Sequence, residues 1–508
     1  MLYLIITALV LVGVLCVAYP DRWLLTSPRH DLPGPKGLPI LGNLVQFYPW
    51  RAKAVQWMEH ILPQYGDLVT LTMPPWGRAI IIGRPEWLAH VKSVDMTRYT
   101  RGVHEVAVFT EFPGRKTPVA SDGPQWRHYR RTMAPIFTVK SFSSHVQPAM
   151  NKVMRTVCAL LTNVAKSGTI IDWNDVSGRI ALSIFCMSSL SLETGVLRDD
   201  PACLEDSDKL RDALVVLNTL SSRRLMNPFW RWTEKLTGAD KRFKKARAYI
   251  RNLISDIVSR REASPSGDLS LDYVSALLED PEYNDPILVR DTLVTLLFAG
   301  RDNTQNALAW AMHALLQQPD WMAKMTAEAE KLNEEDGALP YSRLGEYHIH
   351  QAVFYEVVRL WPGLPKNLRR AISDDVLPSI PQSNLPEVKI NAGDYILWSD
   401  YYMMRHPDIW GNNASVFNPG RHLDSDGHFV KPKAPNFNAF GAGPRLCPAA
   451  QLVTYEFVAC WSILLTNFSF LARYKEHPKM MEAFTPALDR PLQIQINKKT
   501  LDNRLPAH

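Results

Sequence analysis

The chain has 508 residues, 46% hydrophobic and 21% charged, a balance that argues against disordered, collagenous and polytopic membrane proteins. Lys and Arg number 57 against 51 Asp and Glu, and a net charge of +6 over this length is too dilute for nucleic acid as the main partner. Six cysteines (Cys16, Cys158, Cys186, Cys203, Cys447, Cys460) form no C-x-x-C pair and no regular ladder, which argues against a disulfide framework or a zinc module.

The first element is uncharged from Leu2 to Tyr19, LYLIITALVLVGVLCVAY. A helix of that length, at about 1.5 Å per residue, just reaches across a hydrocarbon core of about 30 Å. The competing reading is a cleaved signal peptide, with Cys16 and Ala18 as small residues near a cleavage point, but a basic leading region is missing. Asp21, Arg22, Arg29 and Lys36 follow, a cationic excess that holds the downstream chain on the cytoplasmic side. Residues 1–20 are therefore expected to be one uncleaved transmembrane anchor. In residues 21–43, Pro33, Pro35 and Pro39 fix φ while Gly34, Gly37 and Gly42 permit tight bends, which predicts a stiff, non-helical hinge.

Residues 66–85 alternate β-rich runs with Pro74, Pro75 and Gly77 and read as a hairpin. Helical spacing then dominates near 124–137, 142–166, 173–191, 205–221, 239–262, 286–318, 319–333 and 346–361. From about 363 to 437 the pattern gives way to short strands and a Pro- and Asn-rich meander, after which one helix near 448–466 and short closing strands end the chain. With no internal repeat and no long low-complexity linker, residues 44–508 form one domain, mainly α with small β-sheets. The basic run 233–252 is either a solvated helix face or a contact for anionic lipid or an acidic partner. Phe229, Trp230 and Trp232, mixed with Arg223, Arg224 and Arg231, read equally as a membrane contact or a buried loop.

The most specific chemistry lies in FGAGPRLCPA, residues 440–449. A dinucleotide turn is a poor match, because Leu446 holds the third glycine position and Pro444 sits inside the turn. A single cysteine in a Gly- and Pro-constrained loop leading into a helix fits better: loop amides and the helix N-terminus direct positive partial charge at the sulfur. Such a thiolate can ligate haem iron and push electron density toward O–O cleavage.

With Phe440, Gly443, Arg445 and Cys447 in F-x-x-G-x-R-x-C, the chain resembles the cytochrome P450 superfamily of haem-thiolate monooxygenases over essentially its whole length. Tyr355-Glu356-Val357-Val358-Arg359 matches the family's E-x-x-R helix and Phe417 to His422 its F-x-P-x-R segment; the hinge matches its membrane-bound members. The resemblance implies a P450 fold, haem b ligated by Cys447, and a structural triad of Glu356, Arg359 and Arg421. It nominates Trp126, Arg130, Arg369 and Arg445 as haem propionate donors, with Arg127, Arg131 and Arg370 as near alternatives, and Phe440 as a residue against the porphyrin.

TLLFAGRDNTQNALAW, 295–310, is similar to the family's A-G-x-D-T-T segment and nominates Asp302, Asn303 and Thr304 as catalytic residues. Asn303 stands where the family places an alcohol. Asn donates and accepts hydrogen bonds but is no comparable acid, so proton delivery is open to an Asn-held water, to Thr304 or to a substrate hydroxyl. The implied activity is oxidation of a hydrophobic small molecule with O2 and electrons from NADPH through a separate cytochrome P450 reductase, with cytochrome b5 as a second donor. The implied location is the endoplasmic reticulum membrane with the catalytic domain cytosolic. The segment and DDVLP (374–378) look most like the fatty-acid and alkane hydroxylase clan, whereas Asn303 suits a tailoring enzyme of specialised metabolism; a haem-thiolate isomerase or dehydratase needing no external electrons is the third alternative. Family topology places Val103 to Phe109, Leu214 to Leu220, Leu296 to Ala299, Gly363 to Lys366 and Phe484 to Ala487 around the substrate. Lys366, unusual in that company, is expected to meet an acidic group on it.

Overall fold

Helices occupy the stretches whose apolar residues recur at helical spacing. The computed structural model describes residues 1–263, 273–279, 283, 285–333 and 339–499, so the end of the expected domain, 500–508, lies outside the described residues. The helices are α1 (Leu2–Ala18), α2 (Ala54–Tyr65), α3 (Pro85–Ser93), α4 (Val103–Glu111), α5 (Gly123–Met133), α6 (Gln147–Ser167), α7 (Trp173–Leu190), α8 (Lys209–Met226), α9 (Trp230–Thr237), α10 (Ala239–Ala263), α11 (Tyr273–Glu279), α12 (Pro286–Gln317), α13 (Pro319–Leu332), α14 (His348–Leu360) and α15 (Ala450–Asn467). Local chemistry sets several ends. Asp172, Asp208 and Asp285 cap α7, α8 and α12 by accepting from the backbone N–H two residues on. Gly168 closes α6 in the left-handed region. The short helices α2, α3, α4 and α9 escape the periodicity reading, because two or three turns supply too few repeats and α2 also contains Pro63.

The strands are β1 (Leu68–Met73), β2 (Gly77–Ile82), β3 (Tyr99–Thr100), β4 (Ile171–Asp172), β5 (Lys366–Ala371), β6 (Asp375–Leu377), β7 (Val388–Ile390), β8 (Tyr395–Ser399), β9 (Phe468–Ala472), β10 (Met480–Met481), β11 (Ala487–Leu488) and β12 (Gln493–Lys498). β1 and β2 form the expected hairpin, with Leu68 opposite Ile82 and Met73 opposite Gly77. They open a five-stranded sheet of order β1-β2-β8-β5-β3; β4-β12-β9 form a second sheet, and β6-β7 and β10-β11 are two-stranded ribbons. The core is built around α12, buried along its length and packed on α7, with α10, α14 and α15 also against it.

The hinge is docked on this frame. Pro33 O accepts from Thr70 N–H at 2.8 Å, and Asn43 N–H donates to Thr72 O at 2.7 Å, so residues 33–43 run along the free edge of β1. A Cβ on Gly34 would collide with Thr70 O, which explains a glycine there. α1 has 17 residues, none buried, and Arg22 caps its last turn by donating to Ala18 O at 2.9 Å. At ~1.5 Å per residue it extends about 25 Å, short of a hydrocarbon core of about 30 Å. Among the described residues no helix is long and apolar enough to cross a membrane, which leaves the transmembrane span expected over residues 1–20 unconfirmed.

Candidate active site

Cys447 sits at the end of a loop that only glycines allow. Gly441 and Gly443 have φ of +72° and +65°, and a Cβ on Gly443 would lie 2.6 Å from Lys92 O. Cys447 N–H donates to Phe440 O at 2.9 Å and Leu446 N–H to Gly443 O at 3.1 Å, which turns the thiol toward the start of α15. Burial pushes this thiol up; the backbone N–H groups of Ala449 and Ala450 and the Arg130 guanidinium oppose that by favouring the thiolate. Arg130, on α5, is fixed there by donating to Leu446 O at 2.7 Å. The Phe440 ring lies 6.1 Å from Phe354 and 6.3 Å from Phe437. A lone soft sulfur donor held by amides and a cation fits thiolate ligation of haem iron.

The other nominated cofactor donors lie in a buried charged cluster. Arg445 lies 5.4 Å over the Trp126 ring, pairs with Asp122, and reaches Asp95 at 3.2 Å. Arg369 Nε donates to the same Asp95 carboxylate at 3.0 Å. Arg101, one turn before its partner Glu105 at 2.7 Å, completes the cluster. Burial, then the neighbouring Arg101 and Arg369, pull Arg445 down to about 10, as expected where cations crowd. The buried Nε of Arg101 makes no hydrogen bond, and that of Arg445 meets only the Asp95 carboxylate it shares with Arg369. Guanidinium donors left over in a buried site fit a group that brings carboxylates. Arg101, Asp95 and Glu105 escape sequence reasoning; the i, i+4 spacing of Arg101 and Glu105 was the one available signal.

Glu356 and Arg359 project from α14 into a fully buried network. Arg359 Nε and one terminal nitrogen each donate to Glu356 at 2.8 Å, and Arg421 lies 3.4 Å from the same carboxylate. His422 Nε2 at 3.1 Å and Asn418 N–H at 2.9 Å add two contacts that sequence reasoning missed. Burial alone would raise Glu356, but hydrogen bonds from Arg359 and His422 and their charge override it and bring it to about 2. Arg359 also donates to Met404 O and Ala414 O, and Arg421 to Trp410 O, so the network ties α14 to the meander's backbone.

On α12 the three nominated residues face different neighbours. Asn303 Nδ2 donates to Ala299 O at 2.8 Å, and its Oδ1 lies against Gly363, whose missing Cβ makes the room. Asp302 is buried and pairs with Arg301 at 2.6 Å; burial raises it and Arg301 opposes. Both border a cleft of about 160 Å³ also lined by Asn174, Asn218, Gln305 and Thr485. Thr304 Oγ1 donates to Glu456 Oε2 at 2.8 Å, and burial pushes this α15 carboxyl up to about 7. Glu456 carries no sequence signal, since its partner lies on another helix. Lys366 departs from expectation: it is buried against Glu482 and donates to Ser222 Oγ at 3.1 Å, so its charge is already met by the chain.

A family model described as Cytochrome P450 matches residues 32–497. "Cytochrome P450 monooxygenase cyp1" of Mycosarcoma maydis is 28% identical over 497 residues, 92% of this chain and 75% of that protein. "Cytochrome P450 94B1" of Arabidopsis thaliana is 24% identical over 508 residues, 96% of this chain and 95% of that one. "Cytochrome P450 CYP94D108" of Paris polyphylla is 25% identical over 446 residues, 86% of each.

Proposed function

The chain belongs to the cytochrome P450 family, and we propose that it hydroxylates a hydrophobic small molecule in a tailoring step of specialised metabolite biosynthesis. Membership makes it a haem-thiolate oxidoreductase of the monooxygenase type, using dioxygen, a hydrophobic substrate and a redox partner. The observation that carries the reading is Cys447 in its glycine loop, met by the amides of Ala449 and Ala450 and by Arg130.

Bound haem supplies dioxygen activation and insertion of one oxygen atom. Cys447 is the proposed ligand. Trp126 with Arg445, Arg369 and, from the structure, Arg101 would hold the carboxylates, while Arg130 steadies the sulfur's charge and the Leu446 carbonyl. Glu356, Arg359 and Arg421 hold the meander in place behind the loop. Asn303 closes the Ala299 carbonyl and faces Gly363, which orients the surface met by substrate. Thr304, the residue after Asn303, donates its hydroxyl to Glu456, whose carboxyl burial holds up to about 7, so a proton reserve lies behind this stretch of α12.

The proposed electron source is NADPH through a separate cytochrome P450 reductase, with cytochrome b5 as a second donor. Exposed Arg127 and Arg131 on α5, beside the Cys447 loop, suit an acidic partner. The proposed location is the endoplasmic reticulum membrane with the domain cytosolic. The unburied apolar α1 and the exposed Leu25, Trp232 and Leu236 support attachment to lipid.

The test is a carbon monoxide difference spectrum of the reduced protein, followed by dioxygen consumption with reductase and NADPH. A red-shifted thiolate band and NADPH-dependent product are expected. Loss of haem without loss of fold in Cys447→Ser supports the ligand; an unchanged band in that variant removes it. Turnover that proceeds without NADPH and reductase would instead establish a rearrangement.

A further inference from the structure

Aromatic rings from separate elements converge on Phe298, in the turn of α12 before Asn303. Phe109 of α4 and Phe298 of α12 each meet Phe484, which lies between β10 and β11, at 5.4 and 5.5 Å, and Phe112 closes on Phe298 at 5.1 Å. Phe298 lies directly before Ala299, the residue whose carbonyl Asn303 engages. Such a wall offers ring faces and edges, and the cation that lies over it, Arg101 at 5.6 Å from the Phe109 ring, is paired with Glu105.

The turn that presents Phe484 is fastened on both sides. Before it, Glu482 accepts from Lys366 with one oxygen and from Val55 N–H, at the start of α2, with the other at 3.0 Å. After it, Thr485 exchanges two hydrogen bonds with the Asn218 side chain, at 2.9 and 3.1 Å. Asn218 and Ser222, the second partner of Lys366, are one turn apart on α8. The clasp therefore joins α2, α8, β5 and the 482–485 turn, and the charge of Lys366 is consumed in making it. Other buried cations near these elements each have an acid of the chain beside them: Arg101 with Glu105, Arg301 with Asp302 and Arg369 with Asp95.

Resting on the proposed function above, we infer that the substrate is neutral where it meets these rings, that ionised acids are rejected, and that Lys366 and Glu482 are positioning residues for Phe484. A carboxylate brought here would leave water without gaining a free cation.

The test is equilibrium binding to the haem-loaded full chain, read from the optical spin-state change with dodecanoate and methyl dodecanoate at pH 8. The ester is expected to bind at least about tenfold tighter. Glu482→Gln, which releases the charge of Lys366, is expected to narrow or reverse that ratio, and Lys366→Met combined with Glu482→Gln to restore it. Phe484→Ala is expected to weaken the ester and to create no preference for the acid. Equal or tighter binding of dodecanoate by the unaltered protein, no response to the ester, or an unmoved ratio in haem-loaded Glu482→Gln would each overturn the inference. Binding needs no electron donor, so absence of NADPH-driven turnover with the ester preference intact would sink only the proposed hydroxylation.

Discussion

Replacing Glu356 by Gln removes one charge from a network with no solvent to compensate it. The carboxyl's ordinary value is 4.5 and the fold brings it to about 2. At ~1.4 kcal/mol per pH unit, that difference makes the ionised form contribute about 3 kcal/mol to folding. The same magnitude follows from the partners, because removing one member of a buried ion pair costs ~3–5 kcal/mol when the other stays charged, as Arg359 does. Since the folded value is depressed, this stability is fully present above pH 4.5 and is lost as pH falls toward 2. The expected result is a loss of about 3 kcal/mol at pH 7 for Glu356→Gln, shrinking to about 1 kcal/mol at pH 3, where the unaltered protein has itself lost most of the contribution. Urea unfolding followed by far-ultraviolet circular dichroism at the two pH values measures it, and haem absorbance reports whether the Cys447 loop loosens with the meander. A loss at pH 7 below about 1 kcal/mol, or a loss that does not shrink at low pH, would refute the assignment of Glu356 as the ionised centre of the network.

Glu456 should behave in the opposite sense. Its folded value is raised to about 7, so the folded state holds a proton that the unfolded chain releases near 4.5, and stability falls as pH rises between them. Glu456→Gln should flatten that fall by up to about 3 kcal/mol, measured by unfolding from pH 4.5 to 8; an unchanged slope would count against it. Asn303→Thr frees the Ala299 carbonyl and introduces an alcohol. It should raise product formed per NADPH and lower peroxide release, within the ~10²–10⁴-fold range of a positioned proton donor; equal peroxide from both proteins would show that Asn303 is not limiting. Deleting residues 2–18 should move the protein from the membrane pellet to the supernatant without altering its carbon monoxide spectrum, and retention in the pellet would shift attachment to Trp232, Leu236 and their surroundings.

What the sequence made legible is what depends on neighbours in the chain. The long amphipathic helices follow from spacing, their starts from Asp172, Asp208 and Asp285, and the thiol loop from glycines whose φ values leave no alternative. Glu356 and Arg359 were legible through the match to the family's E-x-x-R helix, since i, i+3 spacing alone also describes an ordinary surface pair. Residues that neutralise charge across the fold were not legible: His422 meets Glu356 over 66 positions, Glu482 meets Lys366 over 116, and Asp95 meets Arg369 over 274.

That difference decides how a buried cation should be read. In sequence, Lys366 among apolar residues looks like a charge in search of a substrate, because a buried cation without a counter-ion is too costly to keep. The cost argument is sound, but it specifies only that an anion must be present and not whose it is. Here the chain supplies it from the turn that carries Phe484, so the same lysine that suggested an acidic substrate becomes a reason to expect a neutral one. Arg101, Arg369 and Arg445 are the counter-case. Their acids are also at hand, yet Arg101 keeps a buried Nε that makes no hydrogen bond, Arg369 and Arg445 share the single Asp95 carboxylate, and burial and the neighbouring cations pull Arg445 down. Crowded cations that share an acid, as Arg369 and Arg445 do beside Arg101, leave room for a further anion, whereas Lys366 against its own Glu482 does not.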